Sequence, residues 1–200
     1  MLGQQTPHRI VRSLFDDETH GKIIEYLDKW VPLLPLSRDD TDFVRLYYHN
    51  PPTLVAVHHA LKDAASEIFG EPVKPSYCFL SMYKDGGTCP LHIDRPQCRY
   101  TIDYLVRQDQ SEPWPICIGE HMSDEDRLVI DEAEAAHPKG DMAIQHRIAQ
   151  ETWSTIELTP NDAVCYSGTN SWHYRPEKLK GTADLVFFHF VPEAFDGPLD

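Results

Sequence analysis

An α+β fold with a jelly-roll or β-sandwich core is predicted for this 200-residue chain. Three observations predict it. Two helical stretches open the chain, about eight short β-like runs follow Pro75, and turn-forming residues separate those runs at near-regular intervals. The length favours one domain over residues 1–200, and a hydrophobic content of 41% suits a packed core.

The first stretch, "SLFDDETHGKIIEYLDKWVPLL", reads as an amphipathic helix. Asp16 or Asp17 can cap its start, and Ile23, Ile24, Leu27 and Trp30 or Val31 recur at helical spacing before Pro32 ends it. "DFVRLYYHN" alternates and is aromatic, as a strand stopped by Pro51-Pro52 should be. "PTLVAVHHALKDAASEIFG" reads as a second helix, with Pro52 near its start and Gly70 as its stop. The β-like runs are then "SYCFLSMYK", "CPLHID", "RYTIDYLVR", "WPICIG", "TWSTIEL", "DAVCYSG", "SWHYR" and "ADLVFFHFV". Asp85-Gly86-Gly87, Glu112-Pro113, Pro160-Asn161-Asp162 and Gly168-Thr169-Asn170 mark turns between them. The acidic segment 120–141 interrupts the strands and is expected to be a surface insertion.

Charge and cysteine usage exclude several function classes. With 32 acidic against 18 basic residues the formal net charge is −14, which repels phosphate backbones and anionic lipid. Nucleic-acid and membrane partners are therefore not expected. The amino terminus lacks the apolar run of a secretory signal, and no stretch is long enough to span a bilayer. Five cysteines without C-x-x-C spacing argue against a disulfide framework and for reduced thiols in a cytoplasm. No G-x-S-x-G, Walker A, H-E-x-x-H or dinucleotide fingerprint is present.

Chemistry surfaces in "CPLHIDRPQC". His92 and Asp94 stand two apart, so an extended "LHID" would aim both at one spot. An imidazole and a carboxylate suit Fe(II), Mn(II) or Zn(II). Of the 11 histidines, His173 is the best-placed partner, because it opens the strand "SWHYR" straight after a turn. A jelly roll can return such a strand beside an early one. His58 or His59 is expected to face the core, and His189 reads as a satisfied core histidine.

The H-x-D pair, the distal His173, the final apolar strand, and Tyr83 with the "YKDGG" turn resemble the Fe(II)/2-oxoglutarate-dependent dioxygenases, most closely their prolyl-hydroxylase-like branch. The resemblance spans most of the chain outside 120–141. It implies a double-stranded β-helix with the N-terminal helices packed on one sheet. It also implies Fe(II) held by His92, Asp94 and His173, with 2-oxoglutarate as co-substrate and O₂ as oxidant. The expected activity is oxidative decarboxylation of 2-oxoglutarate to succinate and CO₂, coupled to C–H oxidation of a small molecule or amino-acid-type substrate. Because Asp94 is present where halogenating relatives carry a small residue, the resemblance favours hydroxylation, or a desaturation or ring-forming variant, over halogenation.

In the family pattern the far carboxylate of 2-oxoglutarate meets an Arg or Lys nine or ten positions after the distal His. This sequence departs there, with Thr182 and Ala183 at those positions. Lys180 and Arg99 are the candidate cations, with Tyr83, Tyr104 and Thr182 as candidate hydrogen-bonding partners. Arg95, Gln97 and Arg175 flank the ligands and are expected to meet substrate, with Trp114 and Trp172 as walls. Two other readings use the same residues: a cupin-like isomerase or hydrolase without an oxoacid, and a jelly-roll binding module.

Overall fold

The computed structural model describes residues 8–41, 43–109, 112–127 and 152–200. Eight strands build the core: β4 (Val73–Tyr83), β5 (Cys89–His92), β6 (Tyr100–Asp109), β7 (Ile116–Gly119), β8 (Trp153–Ile156), β9 (Ala163–Tyr166), β10 (His173–Arg175) and β11 (Thr182–Pro192). Each falls on one of the eight β-like runs. They pair antiparallel as nested partners, β4 with β11, β5 with β10, β6 with β9 and β7 with β8. This is one long hairpin rolled up on itself, the double-stranded β-helix form of a jelly roll. Rolling places these strands in two sheets, a larger one ordered β9-β6-β11-β4 and a smaller one ordered β5-β10-β7-β8.

The larger sheet is extended by β1 (His8–Val11), β2 (Ser37–Asp39) and β3 (Arg45–His49). β3 is the strand expected in "DFVRLYYHN". β1 and β2 are short edge strands with no alternating apolar pattern, so their pairing partners, not their own residues, define them.

Helix α1 (Asp17–Lys29) starts at Asp16, whose carboxylate accepts from the Thr19 amide at 2.7 Å. It buries Ile23, Tyr26 and Leu27 against the larger sheet. The stretch read as a second helix is two, α2 (Pro52–Ala60) and α3 (Lys62–Phe69), joined at Leu61. The Leu61 amide donates to both Val57 and His58 carbonyls, a tightened turn that ends one helix and starts the next. The buried stripe Leu54, His58, Leu61, Ala65 runs through the joint without losing its face. Gly70, at φ +75°, closes α3 in the left-handed conformation.

Strand alternation sorts each residue of the larger sheet into one of two layers. Ile102, Tyr104 and Val106 of β6, with Leu80, Val186, Phe188 and Phe190, face the helices. Leu105 of β6, with Tyr83, Ala183 and Leu185, faces the smaller sheet, where Ile116, Ile118 and Ile156 complete the inter-sheet core. No described helix is long and apolar enough to cross a membrane. Of the segment 120–141, residues 124–127 make a single helical turn, and 128–141 lie outside the described residues.

Candidate metal centre

The rolled hairpin makes His92 of β5 and His173 of β10 direct register partners. Their rings stand 4.2 Å apart between centroids. Asp94 lies just past the end of β5, and its amide donates to the Gly168 carbonyl at 2.8 Å. The turn before β10, and not strand alternation, therefore seats this carboxylate. Its Oδ1 is 3.6 Å from His92 Nε2 and 3.7 Å from His173 Nε2. Gly168 leaves the room this requires, because a Cβ there would collide with the Asp94 carboxylate and come within 2.5 Å of the Cys98 carbonyl oxygen.

Both imidazoles are held in one tautomer. His92 Nδ1 lies 2.7 Å from the Pro90 carbonyl and His173 Nδ1 lies 3.0 Å from the Ser171 carbonyl. A carbonyl only accepts, so each Nδ1 carries a proton, and each Nε2 is the ring nitrogen turned towards Asp94. Burial holds His173 well below the ordinary histidine range, with the neighbouring His92 adding to the effect, so it is a neutral donor. The Asp94 carboxylate is further steadied by the Thr101 hydroxyl at 3.4 Å, itself 3.0 Å from His189 Nδ1.

These donors fit a divalent first-row ion. The ligand atoms of His92, Asp94 and His173 lie within 4.8 Å of one another, and the 3.6 and 3.7 Å from Asp94 Oδ1 to the two Nε2 atoms are within the ~4.2 Å reached by atoms at about 2.1 Å from one ion. Two imidazoles and one carboxylate on one side of a cavity form the 2-His-1-carboxylate arrangement that leaves coordination positions open.

The cavity beside them is about 270 Å³. Of the residues expected at the site, His92, Asp94, His173, Tyr83, Arg95 and Arg175 line it. Arg175 is buried and pairs with Asp103 at 3.1 Å, while its guanidinium lies 4.4 Å from the Trp114 ring. Trp114 thereby backs the wall without lining it. Burial pushes Asp103 up to about 6 against the opposing pull of Arg175. Arg95 donates to the Tyr77 hydroxyl at 3.2 Å.

Other expected residues lie elsewhere. Tyr104 follows Asp103 on β6 and so points to the opposite face, where its hydroxyl meets His20 Nδ1 of α1 at 2.6 Å. Arg99 is turned away, bound by Asp124 at 2.7 Å and by Thr169 and Asn170, beside a separate cavity. Lys180 borders a third depression with Trp114 and Lys178. Thr182 is exposed at the start of β11. Gln97 sits in the 3₁₀ turn Pro96–Cys98, with its carbonyl accepting from Ser76, and Trp172 is buried without lining the cavity.

Arg45, Asp103, Tyr77 and Tyr166 line the cavity although sequence reasoning did not single them out, and His189, read as a core histidine, is buried but lines it too. For Arg45 a signal existed: Phe43, Arg45 and Tyr47 share one face of "DFVRLYYHN", a lone cation in an aromatic row. With three arginines against Asp94 and Asp103, the lining carries an excess of positive charge even before a cation binds.

No protein-family model and no curated protein sequence matches this chain. Solved structures do. The α-ketoglutarate-dependent carbocyclase SnoK from nogalamycin biosynthesis superposes with a TM-score of 0.69 at 8% identity, over 93% of this chain and 79% of that one. HygX from Streptomyces hygroscopicus, with nickel and 2-oxoglutarate bound, gives 0.64 at 13% identity, over 95% and 84%. A Pseudomonas putida prolyl-4-hydroxylase gives 0.62 at 9% identity, over 94% of each chain. With its nested strand order and two-sheet core, this chain has the fold of the Fe(II)/2-oxoglutarate-dependent oxygenases, the prolyl-hydroxylase-like branch among them.

Proposed function

We propose that this chain is, as a single domain over residues 1–200, a non-haem iron oxygenase. It would couple oxidative decarboxylation of 2-oxoglutarate to C–H oxidation of a small molecule or amino-acid-type substrate. The observation that carries this reading is the convergence of His92, Asp94 and His173 on one wall of a cationic cavity. Iron held by these three residues would, with 2-oxoglutarate and O₂, supply the oxidising power for C–H cleavage, with succinate and CO₂ as co-products. The protein's residues do the rest. Pro90 and Ser171 hold the two imidazoles in the ligating tautomer, and Gly168 and Thr101 set the carboxylate. An arginine excess in a cavity partly closed to water suits a dianion such as an oxoacid dicarboxylate. Arg95, stacked 4.5 Å over the Tyr77 ring, is offered to a substrate's acidic group.

Hydroxylation is the favoured outcome because Asp94 occupies the carboxylate position. The structural neighbours include a carbocyclase and an epimerase, so ring formation and epimerisation are the variants to test beside it. A HygX structure with hygromycin B bound supports a small-molecule substrate. Five free, buried cysteines suit a reducing cytoplasm.

The test begins with the anaerobic protein. Fe(II) and 2-oxoglutarate together should produce a weak visible charge-transfer band, and O₂ should then release succinate. Metal binding with neither signal would favour an isomerase or hydrolase using the same three residues, and no metal binding would leave a binding module. His92→Ala and His173→Ala should each abolish tight Fe(II) binding in calorimetry, and unchanged affinity would remove that residue from the site.

A further inference from the structure

The family pattern expects its carboxylate-gripping cation at 182 or 183, and neither the exposed Thr182 nor the buried Ala183 can supply one. The sheet register shows what stands in that row instead. Ala183 pairs with Tyr83 on β4, and Tyr83 pairs on its other side with Arg45 of β3. Ala183, Tyr83 and Arg45 thus stand in one cross-strand row, and the last two line the cavity.

Arg45 is prepared for an anion. Its Nη1 donates to the Ser81 hydroxyl at 3.1 Å and to the Tyr83 hydroxyl at 3.3 Å. Its buried Nε has no hydrogen-bond partner, and no carboxylate among the described residues lies within ion-pair distance. The guanidinium rests 4.0 Å from the Phe43 ring and 5.0 Å from the Phe79 ring, which fixes its plane and strips its water. Arg175, the deeper cation, is already neutralised by Asp103. Phe43 also stands 6.3 Å from the His92 ring, so a single phenyl ring bridges guanidinium and candidate metal ligand.

We infer that Arg45, with the hydroxyls of Tyr83 and Ser81, receives the far carboxylate of the oxoacid, so that an added N-terminal strand supplies the anchor the last strand lacks. This rests on the oxygenase reading above. The guanidinium fork donates from Nε and Nη to the carboxylate, and the Tyr83 hydroxyl donates a further hydrogen bond.

The test is ligand binding without turnover. Nickel(II)-loaded protein is titrated calorimetrically with 2-oxoglutarate and with 2-oxopentanoate, which has the same chain length but no far carboxylate. Wild type should prefer 2-oxoglutarate. Arg45→Gln should bind 2-oxoglutarate about tenfold to a hundredfold more weakly, as expected for losing charge-assisted hydrogen bonds, and 2-oxopentanoate as well as wild type does. Tyr83→Phe, which keeps the ring packing, should lower the same preference by a smaller factor and covers the case in which Arg45→Gln does not fold. An undiminished preference in a folded Arg45→Gln or in Tyr83→Phe overturns the anchor while leaving the oxygenase reading intact. Nickel binding by wild type with no affinity for 2-oxoglutarate overturns both, before any variant is made.

Discussion

At the scale of single residues, the site depends on a glycine as much as on its ligands. Gly168 accepts the Asp94 amide and leaves the space its carboxylate fills. Gly168 needs no left-handed backbone, so Gly168→Ala should act through that collision alone. Its expected outcome is a loss of nickel(II) affinity of at least about tenfold in calorimetry, with an unchanged far-UV circular dichroism spectrum. The candidate ligands His92, Asp94 and His173 were legible only in combination, because an H-x-D pair alone is weak and gains specificity from the distal His173, the strand order and Tyr83. The cations were not. Arg99 lies five residues after Asp94 yet turns outward to Asp124, whereas Arg45 reaches the cavity from a strand far away in sequence. Proximity along the chain says little about a long side chain whose direction depends on which carboxylates fold near it.

The elements repeat this division. Periodicity placed α1 and its cap well, since Asp16 caps the helix and Ile23 and Leu27 face the sheet. It could not choose between Trp30 and Val31; the structure buries Val31 and leaves Trp30 59% exposed. The joint at Leu61 was hidden because the buried stripe keeps its helical spacing across it. The helix layer and the cavity occupy opposite faces of the larger sheet, so their energetics should separate. Leu27→Ala should therefore cost about 2–5 kcal/mol of stability in urea unfolding, as for other buried leucines, and leave nickel(II) affinity within about twofold of wild type. A large loss of affinity would mean the helix layer positions the ligands directly.

For the molecule as a whole, helix and sheet are tied by His58, whose Nε2–H donates to the His189 carbonyl at 2.8 Å from within the core. Burial lowers its pKa from 6.5 to about 4. The unfolded chain therefore takes up a proton that the folded one refuses between those values, so stability is full above about pH 6.5 and falls as the pH drops towards 4. The loss between about pH 7 and pH 5 should be on the order of 2 kcal/mol, and thermal unfolding of His58→Gln should show a correspondingly smaller decline over that range. Equal declines in the two proteins would exclude His58 as the source. The alternation of apolar residues and the spacing of turn signals were enough to specify eight core strands and their two-layer packing, because those properties depend on local residue order; the candidate metal ligands came from the H-x-D pair, His173 and the family resemblance. The nesting of β5 against β10, the turn that seats Asp94 and the strand that delivers Arg45 depend on register between distant segments. Only the folded chain decides that register, because cross-strand hydrogen bonds, and not neighbouring residues, determine which side chains meet.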